Sequence, residues 1–360
     1  MSQLTLADHL ARRVDNFLWL RIIAAIAVIY GHSFALAAPD GSRDVFLRMN
    51  WGYYSGDMAV FIFFVVSGFM VSGSYMARNN LADYLVARLL RIVPAFAFVL
   101  LACAFVLGPL VTRVDQATYW SSPQVIEYVT KNLKFGSDLA WHLPGVFETH
   151  ANTGVNGSIW TLPAEIRMYM LVAILGAIGL LRAKTPAVVA VVALMLLGVF
   201  SVRFLPLHAD WVRLAGYFCI GILAQLLKDR IKVSHQGMVM MVFAAYACSK
   251  TPAYPYVFAL MLAYFSFWFA YELPVIGAPE RFGDPSYGIY LWGWPIQQCL
   301  VEAFPAMPPW LNFVIATPIA ITAGYVSWHV IEKNALKLKN IHLGAINAAK
   351  RLRTRSEQSP

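Results

Sequence analysis

Charge is scarce in this 360-residue sequence: Asp, Glu, Lys and Arg together make up 13% of it, against 59% hydrophobic residues. Soluble domains carry about 25% charged residues, so the balance excludes an ordinary soluble chain. Cysteine is sparse too. The four cysteines, Cys103, Cys219, Cys248 and Cys299, stand singly in apolar stretches and no CxxC occurs. That pattern indicates neither a disulfide framework nor a metal site and leaves buried packing as their use. No short apolar stretch near the N-terminus is followed by a small-residue cleavage site, so the first apolar segment reads as a retained signal anchor. Internal repeats and low-complexity tracts are missing, and so is the GxSxG pattern that would support a nucleophilic serine.

What the chain has instead is long apolar runs, with a mean hydropathy of +0.59. Ten segments read as membrane helices: about 17–37, 57–77, 92–112, 158–181, 186–204, 211–227, 236–250, 253–271, 285–303 and 309–331. Each approaches the roughly 20 residues that a bilayer requires. Of the 28 Lys and Arg, 18 fall in one alternating set of connections together with the termini, eight fall in the other or, as Arg203 and Arg213, at span ends bordering it, and Arg21 and Arg167 lie deeper inside spans. Because cytoplasmic connections collect Lys and Arg, both termini are expected in the cytoplasm. The fold expected is therefore all-α and polytopic, with about ten transmembrane helices. Residues 1–335 form the membrane domain and 336–360 a basic, disordered cytoplasmic tail. The formal net charge of +9 gathers largely on that one side, where it suits anionic lipid headgroups rather than nucleic acid.

Within these runs a few polar residues stand out. Arg21 and His32 lie eleven positions apart in the first segment, close to three helical turns, so they share a face about 16 Å apart along the axis. A charge near the bilayer centre costs roughly 2.5–3.5 kcal/mol even on lenient scales. Two readings stay open for each residue. Arg21 snorkels to headgroups and His32 marks the far interface, or both face inward toward other helices. Ser67 and Gly68, mid-membrane in FFVVSGF, suit a close helix–helix contact. Arg88 and Arg91, one turn apart at a cytoplasmic boundary, either mark topology or hold a phosphorylated ligand, since paired arginines match phosphate geometry. In NGSIWTLPAEIRMY (156–169), Asn156 or Ser158 suits a helix cap. Glu165 and Tyr169 share a face four residues apart. Glu165 is a functional candidate as an intramembrane carboxylate, or else the structural partner of Arg21 or Arg167. Counting from the outer side puts Glu165 at the depth of His32. The polar and aromatic connection 113–157 is longer than most loops.

In order, these segments give R-x-x-A-x₇-H, FFVVSGF, R-x-x-R-I-x-P, N-x-S-x-W-x-L-x-x-E-x-x-x-Y, SYGIYLWGWP and S-x₄-E-K. Six such motifs over residues 15 to 335 resemble the acyltransferase-3 family of bacterial integral-membrane O-acyltransferases. The resemblance implies transfer of an acyl group, usually acetyl, from cytosolic acyl-coenzyme A to a hydroxyl of an extracytoplasmic or lipid-linked carbohydrate. It implies the bacterial cytoplasmic membrane as location and acyl-CoA as cosubstrate, with no bound cofactor or metal. His32 matches the family's catalytic histidine, Glu165 its fourth-span acid, Arg21 its motif arginine, and Arg88 and Arg91 the pair associated with the donor. Asn156, Trp160, Tyr169 and Ser67, standing in those motifs, are expected to support the acceptor or the site. Family members often carry a histidine where this chain has Gly293, so any role for that histidine is absent. Histidine suits deprotonation of a hydroxyl near neutral pH, and a carboxylate beside it would hold its tautomer. The competing readings are a transporter with a His/Arg/Glu relay and a non-catalytic subunit of a polysaccharide export complex.

Overall fold

A computed structural model describes residues 4–38, 41–204, 208–277 and 279–338, and structural statements below concern those residues. The described chain is helical, with one isolated bridge, Thr5 to Lys232, as its only extended pairing. Each of the ten apolar segments falls on a helix. A short leading helix, α1 (Leu6–Arg12), is closed by a Thr5–Asp8 capping box that satisfies orphan N–H groups at its start. The long elements are then α2 (Phe17–Ala37), α3 (Ser55–Arg78) and α4 (Leu81–Ala102). In the connection that follows lie α5 (Gln116–Ser121) and α6 (Pro123–Leu133). The rest are α7 (Leu162–Ala177), α8 (Lys184–Phe204), α9 (Ala209–Leu226), α10 (His235–Ala247), α11 (Tyr254–Tyr271), α12 (Ser286–Ala303) and α13 (Pro309–Ser327).

Six stretches are long and apolar enough to cross a membrane: Phe17–Ala37, Ser55–Arg78, Leu81–Val111, Gly157–Ala177, Tyr254–Tyr271 and Pro309–Leu338. The expectation of ten goes beyond this. α10 has 13 residues, about 20 Å of helix, against a hydrocarbon core of about 30 Å. α12 is long enough but carries Gln297, Gln298 and Glu302. At the C-terminus the helix continues to Leu338, so residues 336–338 of the expected tail are helical, and 339–360 lie outside the described residues.

The bundle is centred on α3, which packs most extensively on α9 and then on α2, while α12 packs on α13 and α2. Small residues permit the tightest crossing. A Cβ on Gly68 would sit 2.0 Å from the Phe218 carbonyl oxygen, and one on Gly221 2.2 Å from that of Val65. Backbone therefore touches backbone, as small residues allow in membrane helices. Of the Ser67–Gly68 pair, Gly68 makes the close helix contact. α2 and α12 run in the same direction: Arg21 meets Asp284 at one end, while Gln297 donates to the Ile29 carbonyl at 2.9 Å near the other. The bundle thus has an arginine end and an opposite end, and the candidate site is strung between them.

Candidate active site

A cavity of about 410 Å³ opens among α2, α3, α4, α7, α9 and α12. Arg21, Arg88 and Arg91 line it at the arginine end, and Ser67, Glu165, Tyr169, Thr161 and Tyr290 lie deeper. The sequence-derived candidates Arg21, Arg88, Arg91, Glu165, Tyr169 and Ser67 therefore share one chamber. The other three, His32, Asn156 and Trp160, do not line it.

The two arginines of α4 share a face but differ in company. Arg91 donates to Asp284 Oδ2 and to Glu332 Oε2, each at 2.6 Å. Arg21 reaches the same Asp284 oxygen at 3.1 Å. The fully buried Glu332 is delivered by a π-turn, Trp328–Glu332, ending α13, and accepts a further hydrogen bond from the Ser327 hydroxyl at 3.1 Å. Such single-turn π segments recur at functional sites. Asp284, in the loop before α12, is shielded from water, which opposes its ionisation. Arg91, Arg21 and the Ser286 hydrogen bonds outweigh that and hold its pKa at about 2. Arg88 has no carboxylate within ion-pair range among the described residues. Its Nε has no hydrogen-bond partner, and its guanidinium lies 5.7 Å from the Tyr169 ring centre. Neither Asp284 nor Glu332 is given a role by the sequence, although Glu332 is the acid of the S-x₄-E-K motif. Asp284 lies ahead of its helix and Glu332 beside the basic C-terminal end, and their partner Arg91 is 193 and 241 residues away.

Glu165 accepts a short hydrogen bond from the Tyr169 hydroxyl, realising the shared face four residues apart. The charged groups that face it are Arg91 and Arg88. Neither structural partner considered from sequence is in place. Arg21 pairs with Asp284, while Arg167 donates to the Pro163 carbonyl and lies 4.3 Å from the Trp211 ring centre. Nor does Glu165 share the depth of His32. Gly157 lies against Trp294, the ring beside His32, and Glu165 follows eight residues later, about two turns toward the arginine end.

His32 is buried, with its ring edge-on to Trp294 at 4.7 Å between centres. Its Nδ1 has no hydrogen-bond partner among the described residues. One turn before Trp294, Tyr290 closes the cavity by donating to the Ser158 carbonyl at 2.6 Å and accepting from Thr161 at 2.7 Å. On α12, Tyr290 thus lines the cavity and Trp294, one turn on, packs on His32. Asn156 is structural: its amide donates to the Leu291 carbonyl at 3.0 Å and its oxygen caps the 3-10 turn through Ser158 N. The Trp160 carbonyl accepts from Trp211 at 3.3 Å. At Gly293 a Cβ would sit 2.8 Å from the Ile29 side chain, so a histidine there requires that side chain to shift.

An arginine-lined chamber leading toward a buried histidine suits transfer of a group from a phosphorylated carrier. A family model described as an acyltransferase domain matches residues 14–329. The chain belongs to the acyltransferase-3 family. This acyltransferase is 26% identical over 331 residues to an O-acetyl transferase of Shigella phage Sf6, covering 88% of this chain and 94% of that one. It is likewise 26% identical over 369 residues to nodulation protein 10 of Rhizobium leguminosarum bv. viciae, covering 92% and 96%. No solved structure matches it significantly. With six apolar helices of membrane-spanning length, the acyltransferase is a multi-pass membrane protein.

Proposed function

We propose that the acyltransferase carries an acyl group, in the first instance acetyl, from acyl-coenzyme A to a carbohydrate hydroxyl on the other side of the bacterial cytoplasmic membrane. In this reading the arginine end and both termini face the cytoplasm, and the ten helical segments traverse or dip into the bilayer. The observation that carries it is Arg88: a guanidinium without a carboxylate partner, at the mouth of a cavity that runs toward His32. Arg88 is half-buried with its Nε shielded from water and unpartnered; such a cation calls for an anion, and the coenzyme's phosphates supply one. The relative named an O-acetyl transferase favours acetyl on oxygen.

In the reaction, His32 accepts the proton of the acceptor hydroxyl. The oxygen attacks the thioester carbonyl, the C–S bond breaks, and the proton ends on the coenzyme sulfur. A positioned general base is worth about 10²–10⁴-fold. Glu165, held by Tyr169, faces the arm of the donor. Because Tyr290 stands between chamber and His32, its Thr161–Ser158 contacts open for the thioester to pass. Arg91 serves the site from behind, through its carboxylates. The test is acyl transfer by the purified protein in nanodiscs, read as thiol release from acetyl-CoA that depends on added cell-surface glycan. Impermeant labelling of cysteines introduced in 113–157 and at Lys333, in cells, checks the sidedness; label at Lys333 alone would invert the orientation.

A further inference from the structure

At the opposite end of the bundle a second cavity, of about 220 Å³, is lined by Leu36, Ala37, Arg113, Thr149, His150 and Glu302 among others. It lies one helical turn beyond His32 on α2. Leu36, Ala37, Val301 and Trp294 form a small apolar cluster of their own, and Trp294 is the ring against His32. The histidine therefore sits between two cavities. The arginine-lined one ends on Tyr290, and the second begins on the far side of Trp294.

The walls of the second cavity are built. Glu302 accepts from Arg113 at 2.9 Å through one oxygen and contacts His150 Nε2 at 2.7 Å through the other. His150 Nδ1 meets the Gln298 side-chain oxygen at 2.8 Å. The Gln298 amide nitrogen is committed to the Asn152 and Gly154 carbonyls at 2.6 and 2.8 Å. His150, 7% exposed and stacked on Phe147, is locked from three sides. Arg113 is 51% exposed and uses one of its five N–H donors on Glu302. Its remaining donors, the spare lone pairs of Glu302 and the Thr149 hydroxyl face a concave surface. Adjacent donors and acceptors of this kind match neighbouring hydroxyls, each of which accepts from one partner and donates to another. The volume falls below the roughly 300–1,000 Å³ of pockets for drug-sized ligands, so it admits one sugar ring and excludes a second coenzyme.

We propose that this vestibule binds the sugar ring that carries the accepting hydroxyl. Glu302 and Arg113 are the hydrogen-bonding pair, and His150 positions Glu302. The inference rests on the acyl-transfer reading above. Its test uses membranes of a strain that makes the protein and its acceptor, supplied with radiolabelled acetyl-CoA. Label entering the glycan fraction is followed for Arg113→Gln, Glu302→Gln and Ala151→Trp. Ala151 is an exposed lining residue, so its tryptophan fills the vestibule without disturbing the core and stands in should a charge variant misfold. The expected result is a tenfold or greater loss of glycan labelling, with acetyl-CoA affinity and folded yield unchanged. Labelling that persists in all three variants, or falls in step with folded yield in all three, overturns the assignment. If Arg113-dependent label enters a non-carbohydrate lipid instead, the sugar class is wrong. Absence of any glycan label with the unaltered protein overturns the acyl-transfer reading itself.

Discussion

Removing Arg91 and removing Arg88 should have opposite consequences, though the two lie one turn apart on the same helix face. Arg91→Met takes away the only cation that contacts Glu332 among the described residues, and one of two that contact Asp284. Glu332 has no exposed surface. Stranding a buried partner in this way typically costs 3–5 kcal/mol, enough to lower the melting temperature by several degrees. Arg88→Met breaks no ion pair and removes an orphaned Nε, so the fold should hold. In the proposed acyl transfer it removes a charge-assisted hydrogen bond to a donor phosphate, about 1.5–3 kcal/mol, or roughly 10- to 150-fold in affinity. The assay is thermal unfolding in detergent beside coenzyme A binding by calorimetry, for both variants and for Arg91→Met with Glu332→Gln. The double variant should recover part of the stability lost in the single one. Arg91→Met that melts like the parent, or Arg88→Met that binds coenzyme A unchanged, would refute the division of labour.

Three other outcomes follow from the same geometry. Glu165→Gln should melt within error of the parent, because it forms no ion pair with the facing Arg88 and Arg91 or with Arg21 and Arg167 among the described residues, and Gln keeps an oxygen for the Tyr169 hydroxyl, while turnover falls; a melting point several degrees lower would make Glu165 structural. Gly68→Ala forces a methyl against the Phe218 carbonyl, an overpacking of about 1–3 kcal/mol that thermal unfolding will register, whereas Ser67→Ala should be mild. Asp284 has its folded pKa lowered from 3.8 to about 2, so its stabilisation is present above pH 4 and lost as pH falls toward 2. A melting profile of Asp284→Asn should lack that part of the acid limb, and an unchanged limb would contradict the bridge.

The helices and one wall of the chamber were legible because each depends on local pattern. Apolar runs bounded by polar residues set the helical segments. The three-residue spacing of Arg88 and Arg91 set their common face, and the four-residue spacing of Glu165 and Tyr169 set their hydrogen bond. What pattern could not supply was partnership across the chain. Asp284 and Glu332 sit at the edges of apolar runs, where carboxylates are ordinary. Only the packing of α4 against α12 and the π-turn turns them onto Arg91. Depth failed for a related reason. A count of residues along each helix leaves out which residues meet across helices, and it is Gly157, eight residues before Glu165, that is held against Trp294 beside His32. The result is a Glu165 that faces the arginines and a His32 that faces Trp294, where a direct His–Glu pair had been expected. The second cavity was out of reach because its parts come from α2, the 113–157 connection and α12, whose aromatic and polar residues read singly as loop composition.

The central claim is that His32 performs proton transfer in acyl transfer from coenzyme A. Its most direct measurement is turnover by purified His32→Ala in nanodiscs with acetyl-CoA and the cell-surface glycan, alongside coenzyme A affinity. The account predicts that transfer falls at least about 10²-fold while coenzyme A binds as tightly as before, since His32 lies outside the arginine-lined cavity. Retention of more than about a tenth of the parent's turnover would contradict it.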